Sequence, residues 1–289
     1  MLATAQTRQL AITIDDLPRG GDAHKPTFAQ TRAMTLQLTE ALKGIPVAVF
    51  VNPGAARLVF SESDLDQILR LWKRQGAEIG NHTATHPDLN NVPLAEYQAD
   101  ILLAEPALRR VRNGKPSRYF RHPFLHTGPN EEVKSGLSKF LQEHHFEVAP
   151  VTIDTADWAF ARVYTSSKTP DQIRQQYLSY MQSVTAYFEK RSLEVTGTEP
   201  PQILLIHANQ LNADTMPLLL DMFRQRGYQF ITLDKALQHP AYQLPDGYTG
   251  RNGISWLHRW AAAKGLPPTQ EPTEPQSILD ELKRLRSQP

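Results

Sequence analysis

Residues 203–207 read Ile203-Leu204-Leu205-Ile206-His207. Four apolar residues in succession, with nothing polar on alternate positions, do not suit a strand with one wet face. They suit a strand covered on both sides, as in a parallel sheet packed by helices. The flanks agree: residues 213–226 have helical spacing, residues 228–232 read as another strand and residues 233–238 as a short helix.

Upstream the same alternation recurs. Leu10-Ala11-Ile12-Thr13-Ile14 is a short β-branched run, and residues 27–43 follow with helical spacing and a Thr27/Gln30 capping box. Residues 47–51 read as strand; Ser61 opens a helix with Leu65, Ile68, Leu69 and Trp72 on one face, closed by Gly76. Residues 78–80 make a short strand, and residues 94–111 a helix in which Pro106 is expected to force a kink or break. A strand near Tyr119 and Phe120, a helix over 131–144, a strand over 146–153 and a long helix over 171–191 complete the set. About seven strand–helix units predict an α/β fold, an all-parallel barrel or partial barrel, over residues 1–245. Residues 246–289 differ in character, with Gly247, Gly250 and Gly253, a Pro-rich link and a charged last helix, and are expected to form a C-terminal helical appendage.

Composition narrows the function. The 289 residues hold 31 Lys plus Arg against 30 Asp plus Glu, a balance that leaves no field for nucleic acid. Zero cysteines exclude disulfides and thiolate ligands, so any metal must be held by histidine and carboxylate. No apolar stretch approaches the roughly 20 residues of a membrane span. Ala3-Thr4-Ala5 resembles the small-x-small end of a secretory signal, which gives the expectation of a secreted or periplasmic protein with its signal removed.

Five clusters of acid, histidine or arginine follow five of the strand-like runs: Asp15-Asp16, His82 to His86, Arg121 to Phe124, Asp154 to Trp158, and His207. In a parallel barrel the C-terminal strand ends converge on one face, so these clusters can share a site. Two histidines four apart, His82/His86, can face one side of a helical turn or bracket a tight loop and bind one ion. His122/His126 has the same spacing, but Pro123 keeps His122 extended, and the first pair is preferred. Neighbouring side chains in a strand point to opposite sides, so Asp15 and Asp16 can divide two tasks between them. Arg121 can hold a buried carboxylate. Taken singly, each residue also fits a bland role: a helix cap for the paired acids, a surface arginine, a loop acid at Asp157, a core histidine at His207.

With its motifs in this order over residues 8–240, the chain closely resembles the polysaccharide deacetylases, carbohydrate esterase family 4, whose catalytic domain is the NodB homology domain. The resemblance implies a distorted (β/α)7-type barrel holding one divalent ion, usually Zn2+, with Co2+ or Ni2+ as alternatives. Asp16, His82 and His86 would be its ligands. Asp15 would be the general base, tethered by Arg121; the Phe124 backbone N–H would help hold the oxyanion; Asp157 would orient His207, the general acid; Trp158 and Leu205 would line the acyl pocket. The implied partner is an acetylated glycan, from which N-acetyl or O-acetyl groups leave as acetate; neither nucleic acid nor a membrane span is implied, and the sequence sets no oligomeric state. Departures are local: Leu17-Pro18 replaces the usual glycine after the second acid, and Ala208-Asn209-Gln210-Leu211-Asn212 follows His207 where aspartate is common. Those loops keep open a hydrolase of a non-sugar amide or cyclic ureide, and fold alone keeps open a carbohydrate-binding relic.

Overall fold

The computed structural model describes residues 7–22 and 26–287. Ala3-Thr4-Ala5 and the Ala23-His24 end of the loop after Asp16 lie outside the described residues. Seven strands, all paired in parallel, form one sheet: β1 (Arg8–Leu17), β2 (Val47–Val51), β3 (Glu78–Asn81), β4 (Tyr119–Phe120), β5 (Glu147–Val148), β6 (Gln202–His207) and β7 (Tyr228–Phe230). Their order is β5-β4-β3-β2-β1-β6, with β7 pairing the first residues of β1.

Closure of this sheet explains its distortion. After β5, Ala149 N–H still donates to Phe120 of β4, whereas Thr152 and Ile153 donate to Ile203 of β6. Pro150, which has no N–H, sits at the handover, so the strand expected over 146–153 is regular only at Glu147–Val148 and meets β6 by one bridge, Ile153 to Leu204. The C-terminal extension seals this place, with Trp256 N–H on the Val151 carbonyl at 2.7 Å and Ser255 Oγ on the Thr152 carbonyl at 2.8 Å.

Side chains alternate across the sheet. Leu10, Ile12, Ile14, Val47, Val49 and Val51 face the surrounding helices in the main core, while Ala11, Ala48, Phe50, Tyr119, Ala149 and Ile203 face inward and are capped below by Leu233, Ala236 and Leu237. Extending the inward parity toward the C-terminal strand ends gives Thr13 and Asp15, His82, Arg121, and Leu205 and His207. Period-two geometry therefore builds the site from the barrel's own lining.

The helices follow their local signals. The helix Glu62–Gln75 buries Leu65, Ile68, Leu69 and Trp72, starts at a Ser61/Asp64 capping box and ends at Gly76 with φ 99°. Leu94–Val111 runs through Pro106 without a break. The carbonyl deprived of its partner there belongs to Leu102, which is exposed, so water can take the bond. Asp157, a loop acid in its bland reading, instead opens the helix Asp157–Tyr164. In the C-terminal extension, Trp256, Leu257, Trp260, Ile278 and Leu282 join the main core, each burial worth about 1.5–3 kcal/mol.

Candidate active site

A break in register makes the two acids diverge. The pairing of β1 with β2 slips between Ile14 and Leu17, and Asp16 takes φ 61°. Asp15 stays in the strand, paired with His207, and faces inward; Asp16 is turned out of the ladder toward the next loop. That loop, residues 82–86, is a tight turn and not a helix, with Thr83 and His86 at φ 64° and 59°. Asp100 fixes it by accepting from Ala84 and Thr85 N–H, and Asn52 donates to the His82 carbonyl.

Asp16 Oδ1 lies 3.5 Å from His82 Nε2 and 3.4 Å from His86 Nε2. One donor atom from each of the three residues falls within 4.8 Å of the others. Bonds of roughly 2.0–2.2 Å in a tetrahedral site put donors about 3.3–3.5 Å apart, so the two measured edges match an ion of that size. Asp16 Oδ1 is buried with no hydrogen-bond partner among the described residues. His82 Nδ1–H donates to the Arg121 carbonyl at 2.8 Å, which leaves the Nε2 lone pair facing inward. Burial holds His82 well below the ordinary imidazole value and also lowers His86. Neutral imidazoles beside an unpaired carboxylate oxygen fit a divalent metal.

Asp15 lies beside this triangle. Its Oδ2 is 3.3 Å from Arg121 Nη1 and 3.8 Å from His82 Nε2. Burial pushes its carboxyl up to about 6, against the opposing charges of Arg121 and His207. Arg121 is fully buried, bonds Thr13 Oγ1 at 2.9 Å and lies over the Phe50 ring at 4.7 Å. Gly80 makes room for that ring, since a Cβ there would stand 2.5 Å from it.

On the other side of Asp16, His207 Nε2 lies 3.9 Å from Asp16 Oδ2. Its Nδ1–H donates to Asp157 Oδ1 at 2.7 Å, while Asp157 Oδ2 accepts from His207 N–H at 2.8 Å, Asn209 Nδ2 at 3.0 Å and Asn212 Nδ2 at 2.6 Å. Burial opposes charge on His207, but contact with the Asp157 carboxylate outweighs it and raises the imidazole to about 10. Asp157, despite burial, is held below the usual carboxylate range by His207 and these donors. The result is an imidazolium with Nε2–H aimed at the pocket.

The same pocket is lined by Phe124, Leu125, Thr155, Trp158, Leu205 and, from the C-terminal extension, Gly253 and Arg286. Phe124 has φ 56°, and its N–H makes no hydrogen bond among the described residues. Leu205 is buried, whereas Phe124 and Trp158 are 52% and 39% exposed, so two apolar rings of the lining face solvent. The unusual loop after Asp16 packs between Asp16 and Trp158. A Cβ on Gly20 would stand 2.4 Å from Asp16 Cβ, and one on Gly21 would meet the Trp158 backbone at 3.1 Å.

The sequence model of the polysaccharide deacetylases matches residues 3–140, which span Asp15, Asp16, His82, His86, Arg121 and Phe124. Over those residues the chain is similar to the polysaccharide deacetylases. Among this family's proteins, the chain is 24% identical over 239 residues to a chitin deacetylase of Colletotrichum lindemuthianum, covering 82% of each. It is 23% identical over 176 residues to a peptidoglycan-N-acetylglucosamine deacetylase of Bacillus cereus, covering 59% of this chain and 53% of that protein, so it spans about half of that relative. The solved Colletotrichum chitin deacetylase superposes with a TM-score of 0.56 at 22% identity, over 82% of this chain and 91% of that one. A family 4 pseudoenzyme from Bacillus anthracis superposes with 0.55 at 16% identity, over 81% and 66%. These likenesses give the fold; activity must be argued from the site.

Several residues take roles that their sequence positions did not assign. Asp154 lines the pocket beside Asp157, and burial, with the charge of Glu271, pushes it up to about 7. Asn209 caps the helix Gln210–Gln225 by accepting from Asn212 N–H and also donates to Asp157. His122 and His126 do not pair. Both touch the pocket, but His122 is buried edge-on against Phe120, whereas His126 bonds Asp88.

Proposed function

We propose that the protein is a metal-dependent hydrolase that removes acetyl groups from an acetylated glycan, with N-acetylglucosamine polymers as the favoured substrate class, and that it acts outside the cytoplasm, where such polymers lie. The observation that carries this reading is the placement of Asp16, His82 and His86 between an arginine-held carboxylate, Asp15, and an aspartate-held imidazolium, His207. A divalent ion held by those three residues, Zn2+ by preference, would polarise the acyl oxygen and acidify a water.

Asp15 is placed to accept the proton of a water whose oxygen would attack the acetyl carbon. A carboxyl near 6 suits this, because it is largely ionised at neutral pH yet basic enough to accept. The Phe124 N–H, free of other partners among the described residues, offers a hydrogen bond to the developing oxyanion. His207 Nε2–H then protonates the departing nitrogen as the carbon–nitrogen bond breaks, giving acetate and a free amine. Leu205 and Trp158 bound the space for the acyl methyl.

The test is acetate release by metal-loaded enzyme on a matched pair of N-acetyl and O-acetyl glycans. Asp16→Ala is expected to abolish release, and His207→Ala to lower it about 10²–10⁴-fold on the amide but less on an activated ester, whose leaving group needs less protonation. Undiminished release by either variant, or none from any acetylated glycan by the parent, overturns the reading.

A further inference from the structure

His126 belongs to the histidine pair that the metal reading sets aside, yet it lines the pocket with Asp16, His82 and His86. Its ring is one aromatic layer from His86: the His86 and Phe124 centroids are 4.4 Å apart, and those of Phe124 and His126 5.5 Å. Both of its polar contacts fall on Nδ1, 2.7 Å from Asp88 Oδ1 and 2.8 Å from Asn90 Nδ2. The Asp88 carboxylate can only accept and is the nearer, charged partner, so Nδ1 carries the proton toward it; the Asn90 amide, itself a donor there, makes a contact and no hydrogen bond, and Nε2 at the far edge of the ring is left as an acceptor.

The arrangement is braced from three segments. Asp88 Oδ1 also accepts from Asn90 N–H at 2.8 Å, and its Oδ2 accepts from Asn91 Nδ2 at 2.9 Å. Asn90 Nδ2 donates to the Arg251 carbonyl at 2.8 Å, and Arg251 Nη2 donates back to the Asn90 carbonyl at 3.2 Å. The next turn of the C-terminal extension presses on the loop carrying His126, since Gly253 sits where a Cβ would be 1.8 Å from the Phe124 carbonyl oxygen. A ring fixed in this way loses little freedom on meeting a ligand, and Nε2 makes no hydrogen bond among the described residues.

We propose that His126, oriented by Asp88, is a subsite residue whose Nε2 accepts a hydrogen bond from a hydroxyl or amide N–H of the sugar unit next to the one that reacts. This rests on the acetylated-glycan reading. The acetyl group under attack lies at the Asp16, His82 and His86 donors, so a group one ring beyond His86 meets the adjoining unit and not the scissile bond. Asp88 acts through His126 and is a positioning residue.

The experiment compares a penta-N-acetylated chitooligosaccharide with p-nitrophenyl acetate, which reaches only the reaction centre. His126→Leu is expected to lower the ratio of kcat/KM for the oligosaccharide to that for the ester about tenfold, mainly through KM. His126→Gln, which puts an acceptor oxygen near the Nε2 position, is expected to recover most of it, and Asp88→Asn to shift the ratio the same way by less. An unchanged ratio in His126→Leu, or an equal fall on both substrates, overturns the subsite. Absence of oligosaccharide turnover in the parent is a failure of the deacetylase reading and not of this one. Calorimetric titration with the same oligosaccharide then decides: about tenfold weaker binding by His126→Leu upholds the subsite, while equal binding, or none by the parent, overturns it.

Discussion

Single residues here do their work through what surrounds them. Asp15 and Asp157 are both buried acids, yet one is raised and the other lowered, because Asp15 keeps an oxygen without a hydrogen bond whereas Asp157 receives donors from four groups. Asp154 extends the comparison. Burial dominates, Glu271 and Asp157 add to the rise, and His207 opposes it, as does Arg121, whose own charge is favoured by Asp154. Its carboxyl moves from an ordinary 3.8 to about 7, so between those values the folded protein keeps a proton that the unfolded chain has released. Rising pH therefore costs stability across that window, and the loss is complete above it. Asp154→Asn is expected to gain on the parent by on the order of a few °C in Tm on going from pH 4 to pH 8, measured by thermal melts of chelator-treated protein. An offset between the two proteins that does not change with pH would contradict the burial argument.

Among the elements, the C-terminal extension has the widest reach. Arg259, fully buried, donates to the Leu125 carbonyl and to Thr127 Oγ1, each at 2.8 Å, and pairs with Asp246 at 3.1 Å. It thereby props the loop that presents Phe124 and His126. Gly253 touches that loop so closely that Gly253→Ala must push the Phe124 backbone aside, at a cost of about 1–3 kcal/mol. Acetate release is expected to fall at least tenfold in this variant. Gly250→Ala is the control on the same segment, because its Cβ would meet only the Tyr248 hydroxyl end, which can swing away. Equal activity of the two variants would show that the extension does not set the loop.

For the whole molecule, an ion held by the donor triangle would link metal binding to stability. A ligand that binds only the folded state adds about 2.7 kcal/mol at a hundredfold excess over its Kd, roughly 5–10 °C in Tm for a chain of this size. Thermal melts are expected to rise by this amount on adding Zn2+ and to fall with a chelator, and Asp16→Ala is expected to remove the increment. A shift retained in that variant would place the ion elsewhere.

What the sequence determined by itself was whatever depends on short-range periodicity. Strands and helices followed from apolar spacing and caps, and the inward parity of Asp15, His82, Arg121 and His207 follows from the alternation of side chains along each strand. Tertiary structure alone decided the rest, because those choices depend on partners far along the chain. The slip in register that turns Asp16 out of the ladder is set against β2, and the handover at Pro150 is set by β4 and β6. His126 is separated from Asp88 by 38 positions, and Arg259 from Leu125 by 134. A local pattern carries no record of such pairs; they exist only once the barrel has closed and the last helices have packed against it.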